Sequence, residues 1–179
     1  PSQKRLLHPS WPMARVGVGF LEEDLMRCAL WVFVFLTLLP LPGLADQGYP
    51  YPKMQVQVST LTFDQLVESL KASVLTHKMG LVTQACGSCG AKAQGFVIPG
   101  NFVAGVFRND YARRLFAIHV QAGIEAPIRF YVTENDNGTS TLSYRLPSAI
   151  FAAYEVPALE PLGAELDQIF AAIAKDAVQ

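Results

Sequence analysis

Between Ile128 and Leu146 the chain reads IRFYVTENDNGTSTLSYRL, and no other stretch limits the fold as tightly. Ile128, Phe130 and Val132 alternate with Arg129, Tyr131 and Thr133, the period of a strand with one covered face. The turn Asn135-Asp-Asn-Gly138 is built of residues that tolerate a left-handed backbone, and TSTLSYRL returns as a second strand. An antiparallel hairpin is therefore expected here.

The flanking segments supply the other layer. Met54, Val56 and Val58 alternate with Gln55, Gln57 and Ser59, predicting a half-buried strand with its apolar set inward. Thr62-Phe-Asp-Gln65 is a capping box in which the Thr62 hydroxyl takes a helix amide and Gln65 reaches back to the cap. The helix is expected from Phe63 to about Met79, with Phe63, Leu66, Val67, Leu70 and Val74 on one stripe and Gly80 as its stop. GLVTQA and FVAGVFR read as further strands, and Asn109 or Asp110 can cap a helix from Tyr111 to about Ala122. Pro161 opens a last helix, whose stripe is Leu162, Leu166, Ile169, Phe170 and Ile173. Two amphipathic helices bracketing a mostly antiparallel sheet define an α+β, two-layer domain with the helices packed on one face.

The first 45 residues read differently. From Met26, MRCALWVFVFLTLLPLPGLADQG has a basic residue at Arg27, an apolar run from Cys28 to Leu39 broken only by Thr37, and a small-residue end at Gly43 and Ala45. That is the layout of a secretory signal peptide over 26–45, cleaved after Ala45, and it predicts a periplasmic or secreted protein. A spanning helix would need about 20 apolar residues, and Pro40 and Pro42 intervene first. Residues 1–25 lie upstream of that signal and read as non-native read-through, with Met26 the expected start and Met13 its competitor. Residues 46–53, DQGYPYPK, form a flexible or polyproline-like lead-in to a single domain over 54–179.

Residues 46–179 carry ten Lys and Arg against twelve Asp and Glu, with no basic stripe, so nucleic acid is not an expected partner. No further apolar run suggests a membrane once the signal is gone. Cleavage removes Cys28 and leaves Cys86 and Cys89 alone, in ACGSCGAKAQG. In an oxidising compartment such a pair is either a small disulfide or two reactive thiols.

Four segments together resemble the bacterial Domain of Unknown Function 302 family: TFDQLVESLKASVLTHKMGLV, IPGNFVAGVFRNDYARRL, AGIEAPIRFYVTENDNGTSTLSYRLPSAIFAAY and ELDQIFAAIA. The likeness spans nearly all of residues 54–176. Phe107 to Asp110 is similar to that family's Phe-Gly-Asn-Pro-type turn, with Arg108 for Gly and Asp110 for Pro, as in a subgroup that continues into Ala122 to Pro127. The resemblance implies a β-α-β4-α sheet of TATA-binding-protein-like topology, often as a homodimer. It brings neither DNA binding nor catalytic residues, because fold is not function. The chain departs most from the family between Gly80 and Gly95, where the cysteines lie.

Several chemistries can be weighed on the residues. In a Cys-x-x-Cys pair the first thiolate can be stabilised by a helix start and resolved by the second, but the partners of a thioredoxin-like site are missing here. A fixed disulfide is the plainer reading. Zinc would need His77 and His119 to complete the cysteines, and their 42-residue spacing fits no compact site, so no metal or cofactor is expected. The polar cluster Arg108, Asn109 and Asp110, with Glu125 near in sequence, could present amides and a guanidinium to an anionic ligand. Its plainer reading is capping by Asn109 and Asp110 and a surface or interface pair between Arg108 and Glu125. Phe96, Val97, Ile98, Phe102 and Val103 form an apolar stretch suited to a dimer interface or a pocket. The expected function is a non-catalytic binding protein for a small ligand or a protein partner. The alternative is a thiol-disulfide or sulfur-relay protein using Cys86 and Cys89.

Overall fold

The computed structural model describes residues 49–179; the signal peptide read at 26–45, the upstream segment and the start of the lead-in lie outside them. Strand β1 (Met54–Ser59) leads into helix α1 (Phe63–Thr76). Four strands follow: β2 (Gly80–Cys86), β3 (Asn101–Phe107), β4 (Ile128–Glu134) and β5 (Ser140–Arg145). Short helices α2 (Gly87–Ala93), α3 (Asn109–Ile118) and α4 (Pro147–Ala152) come after β2, β3 and β5, and α5 (Glu160–Ala177) ends the domain. All five strands pair antiparallel in the order β1-β5-β4-β3-β2. The result is the α+β architecture the sequence predicts, a strand, a helix, a four-stranded meander and a helix.

Local chemistry explains the boundaries. The capping box forms as read: the Thr62 N–H donates to Gln65 Oε1 at 3.0 Å, and the Gln65 N–H to Thr62 Oγ1 at 3.4 Å. The helix ends earlier than expected, because Lys78 turns left-handed with φ 58° and swings Met79 into the core. Gly80 is therefore no helix stop; it opens β2, where a Cβ would lie 3.1 Å from the Phe107 carbonyl. The hairpin turn also forms as read, with the Asn135 N–H donating to the Thr139 carbonyl at 2.8 Å and Gly138 at φ 78°.

Phe130 of β4 is the centre of the core. It stacks on Phe170 of α5 at 4.8 Å and tilts against Tyr144 at 5.0 Å. Leu66, Leu70 and Val74 of α1 are also fully buried, each such side chain contributing about 1.5–3 kcal/mol.

The first strand lies the other way round from its expected orientation. Its register sets Gln55 opposite Tyr144, Gln57 opposite Leu142 and Ser59 opposite Ser140, and opposite residues share a face. Leu142 and Tyr144 point to the helices, so the polar set of β1 goes with them. Val56 and Val58 are left 47% and 72% exposed on the other face. Hydrogen bonding accounts for the choice. The buried Ser59 hydroxyl donates to the Val178 carbonyl at 2.9 Å, and that of Ser140 to the Leu61 carbonyl at 3.0 Å. Among the described residues no helix covers the Val56 and Val58 face.

Candidate functional site

Arg108, Asn109 and Asp110 stand where β3 passes into α3. Neither Asn109 nor Asp110 is the cap residue; Arg108 holds that position, its side chain makes no capping hydrogen bond, and Asn109 begins the helix. The Asp110 carboxylate is otherwise engaged. Arg108 grips it with Nε to Oδ1 at 2.7 Å and Nη2 to Oδ2 at 3.0 Å, a two-pronged pair. The pair holds Asp110 below the ordinary carboxylate range and raises Arg108. The Arg108 guanidinium also lies 4.3 Å from the centre of the Tyr111 ring, with that of Arg114 at 5.2 Å.

Glu165 of α5 completes this cluster. Arg114 Nη2 meets its Oε2 at 2.8 Å and the Tyr111 hydroxyl donates to its Oε1, and these two bonds lower the Glu165 carboxyl. Burial, and then the bond to Glu165, push the Tyr111 hydroxyl up. The arrangement is a clasp between α3 and α5. Beneath it is an apolar void of about 30 Å³, lined by Arg108 together with Val106, Leu115 and Phe170 among others.

Glu125 is elsewhere. It accepts a hydrogen bond from the Tyr154 hydroxyl at 3.1 Å and borders a second cavity, of about 170 Å³. The two cavities share Ile128. This second cavity lies where β4 begins and β5 ends, and its other walls include Tyr49, Tyr51, Arg129, Tyr131 and Arg145. The Tyr49 hydroxyl is 2.9 Å from Ser143 Oγ, and the Arg145 guanidinium is 4.4 Å from the centre of the Tyr51 ring, so the lead-in folds back onto the sheet. The sequence reading missed these residues. The signal was available: counting outward from the NDNG turn brings Arg129 and Arg145 level with one another.

Cys86 and Cys89 form a disulfide with a Cα–Cα distance of 5.2 Å. The backbone N–H of Cys89 donates to Cys86 Sγ at 3.1 Å, and Ser88 Oγ accepts from the Asn101 N–H at 3.2 Å, tying the turn to β3. Cys89 faces solvent, whereas Cys86 is half-buried. Beside the pair runs a groove lined by Phe96, Val97, Ile98, Lys92 and Glu134 among others. The expected apolar stretch does not stay together. Phe96, Val97 and Ile98 are 65%, 97% and 44% exposed, Phe102 is buried in the core, and Val103 points to the opposite face because a strand alternates. His77 pairs with Asp176 at 2.8 Å, and His119 packs against the Tyr154 ring at 5.4 Å. Among the described residues no three His, Cys, Asp or Glu side chains converge as a metal site.

A five-stranded antiparallel sheet with helices packed on one side defines a small α+β domain, its other face left without a helix among the described residues. The model of the domain of unknown function DUF302 matches residues 54–177, and the chain belongs to that family. Its fold is similar to that of an uncharacterized conserved DUF302 protein from Bacillus stearothermophilus, known from a crystal structure. The TM-score is 0.64 at 17% identity, over 72% of this chain and 99% of the other. No curated protein matches the chain.

Proposed function

We propose that the protein is an exported, periplasmic or secreted, homodimeric binding protein without catalysis of its own, which takes a small ligand on the helix-free face of its sheet. The supporting observation is the cavity of about 170 Å³ at the end of that face, roofed by Tyr49 and Tyr51. Concave sites with aromatic walls and a few converging polar groups are the usual form of small-ligand pockets. Of the residues picked from the sequence, Glu125 borders it, while Arg108 and Asp110 are occupied in the clasp. The exposed ridge Phe96-Val97-Ile98 offers a surface for the second copy.

Titrating neutral fragments into ¹⁵N-labelled protein tests the ligand reading. Amides around Tyr131 and Ser143 are expected to shift, and the reading fails if no fragment moves them. Sedimentation should show a dimer that Val97→Glu dissociates, and the native protein should begin at Asp46.

The solvent-facing disulfide favours a second reading, thiol-disulfide exchange. Two thiols of a substrate polypeptide would reduce it through a mixed disulfide, leaving the substrate disulfide and two protein thiols. Intact-mass measurement with alkylation, before and after mild reductant, tests this. A pair that stays oxidised under mild reductant and is dispensable in Cys→Ser variants refutes it.

A further inference from the structure

We infer that the cavity at the end of the open face is an oxyanion site, in which Arg129 and Arg145 together receive a carboxylate or phosphate whose apolar body rests on Tyr51 and Tyr131. This rests on the ligand-binding reading above and adds the chemical class of the ligand. The register that pairs Phe130 with Tyr144 brings Arg129 of β4 level with Arg145 of β5, one step further along the same two strands. Both project to the helix-free side, with Tyr131 and Ser143. Like charges facing each other across a strand pair repel, and such an arrangement persists at a cost to the empty protein.

Among the described residues, no carboxylate lies within ion-pair distance of either cation. The ion pairs among the described residues engage Lys71, His77, Arg108 and Arg114, and neither Arg129 nor Arg145. Glu125, a carboxylate on the cavity wall, is held by the Tyr154 hydroxyl and lies beyond ion-pair distance of both. Arg145 Nε is shut off from solvent and donates to no acceptor. The Tyr51 ring meanwhile fixes the plane of its guanidinium at 4.4 Å. A guanidinium fork held against the Tyr51 ring, with a second guanidinium lining the same cavity from the neighbouring strand, matches an oxyanion with two or more acceptor oxygens.

The test is calorimetric titration of the full-length protein with inorganic phosphate in one arm and benzoate in the other. Saturable binding of at least one is expected, and the arm that binds tells phosphate from carboxylate. Arg129→Gln and Arg145→Gln should each weaken it at least about tenfold, while Arg113→Gln, an exposed arginine of α3, should leave it unchanged. Arg145→Lys, which keeps the charge and loses the fork, should also weaken binding. It serves in place of Arg145→Gln if the latter's thermal melt shows a loss of folding. Binding of neither anion, binding by the Arg129 and Arg145 variants as tight as that of the unaltered protein, or an equal loss with Arg113→Gln overturns the inference. If neutral fragments still shift the Tyr131 and Ser143 amides while both anions fail, the ligand site stands and its anionic class falls.

Discussion

Reducing the Cys86–Cys89 bond tests whether the pair is a staple or a spare part. The two cysteines are three residues apart and join the end of β2 to the first turn of α2, a short helix with no buried residue. A cross-link stabilises mainly by limiting the unfolded chain, and closing a loop of about four residues gives about 2 kcal/mol at 25 °C, against nearly 5 for a loop of a hundred. For a domain of about 130 residues, an unfolding entropy of roughly 0.27 kcal/mol/K turns that into a fall in Tm of about 7 °C. A local rise in freedom of α2 after reduction would make the fall smaller. Differential scanning calorimetry with and without a phosphine reductant reads it directly, with alkylation confirming that both thiols are free. A fall of more than twice that size, or the loss of a cooperative transition, would refute the reasoning by showing that the bond holds more than its own turn. A small fall leaves the disulfide free to open without unfolding the domain, as thiol exchange requires.

Other outcomes follow from the packing and the charges. Val58→Lys should change stability by no more than about 0.5 kcal/mol, whereas Leu142→Ala should cost about 2–5 kcal/mol, and urea unfolding of both checks the orientation of β1. Gly163 packs α5 on α4 so closely that a Cβ would lie 2.8 Å from Ser148 Cα; Gly163→Val should cost more than about 2 kcal/mol in the same assay. Asp110 and Glu165 both have lowered pKa values in the folded protein, so their contribution is present above the ordinary carboxyl range and lost as pH falls below about 4. The double variant Asp110→Asn, Glu165→Gln should therefore flatten the acid side of a Tm-against-pH curve, and an unchanged slope would dissolve the clasp as a stabilising unit.

What the chain decides by itself is local. The left-handed tolerance of Asn137-Gly138, the reciprocal bonds of Thr62 and Gln65, and the stripe from Leu162 to Ile173 each depend on residues within a turn or two of one another. Those elements formed where the residues put them. Tertiary structure decided the rest. The period of two in β1 says that two sets of side chains part company, but only pairing with β5 determines that Gln55 and Ser59 go inward and Val58 outward. Asp110 looks like a helix cap until Arg108 takes its carboxylate, and Glu165, 54 residues beyond Tyr111, becomes its neighbour only when α5 packs beside α3. The cavity under Tyr49 and Tyr51 likewise joins a lead-in that reads as flexible to the two ends of a hairpin. Burial and charge depend on distance in space, and over such separations only the packed sheet and helices set that distance.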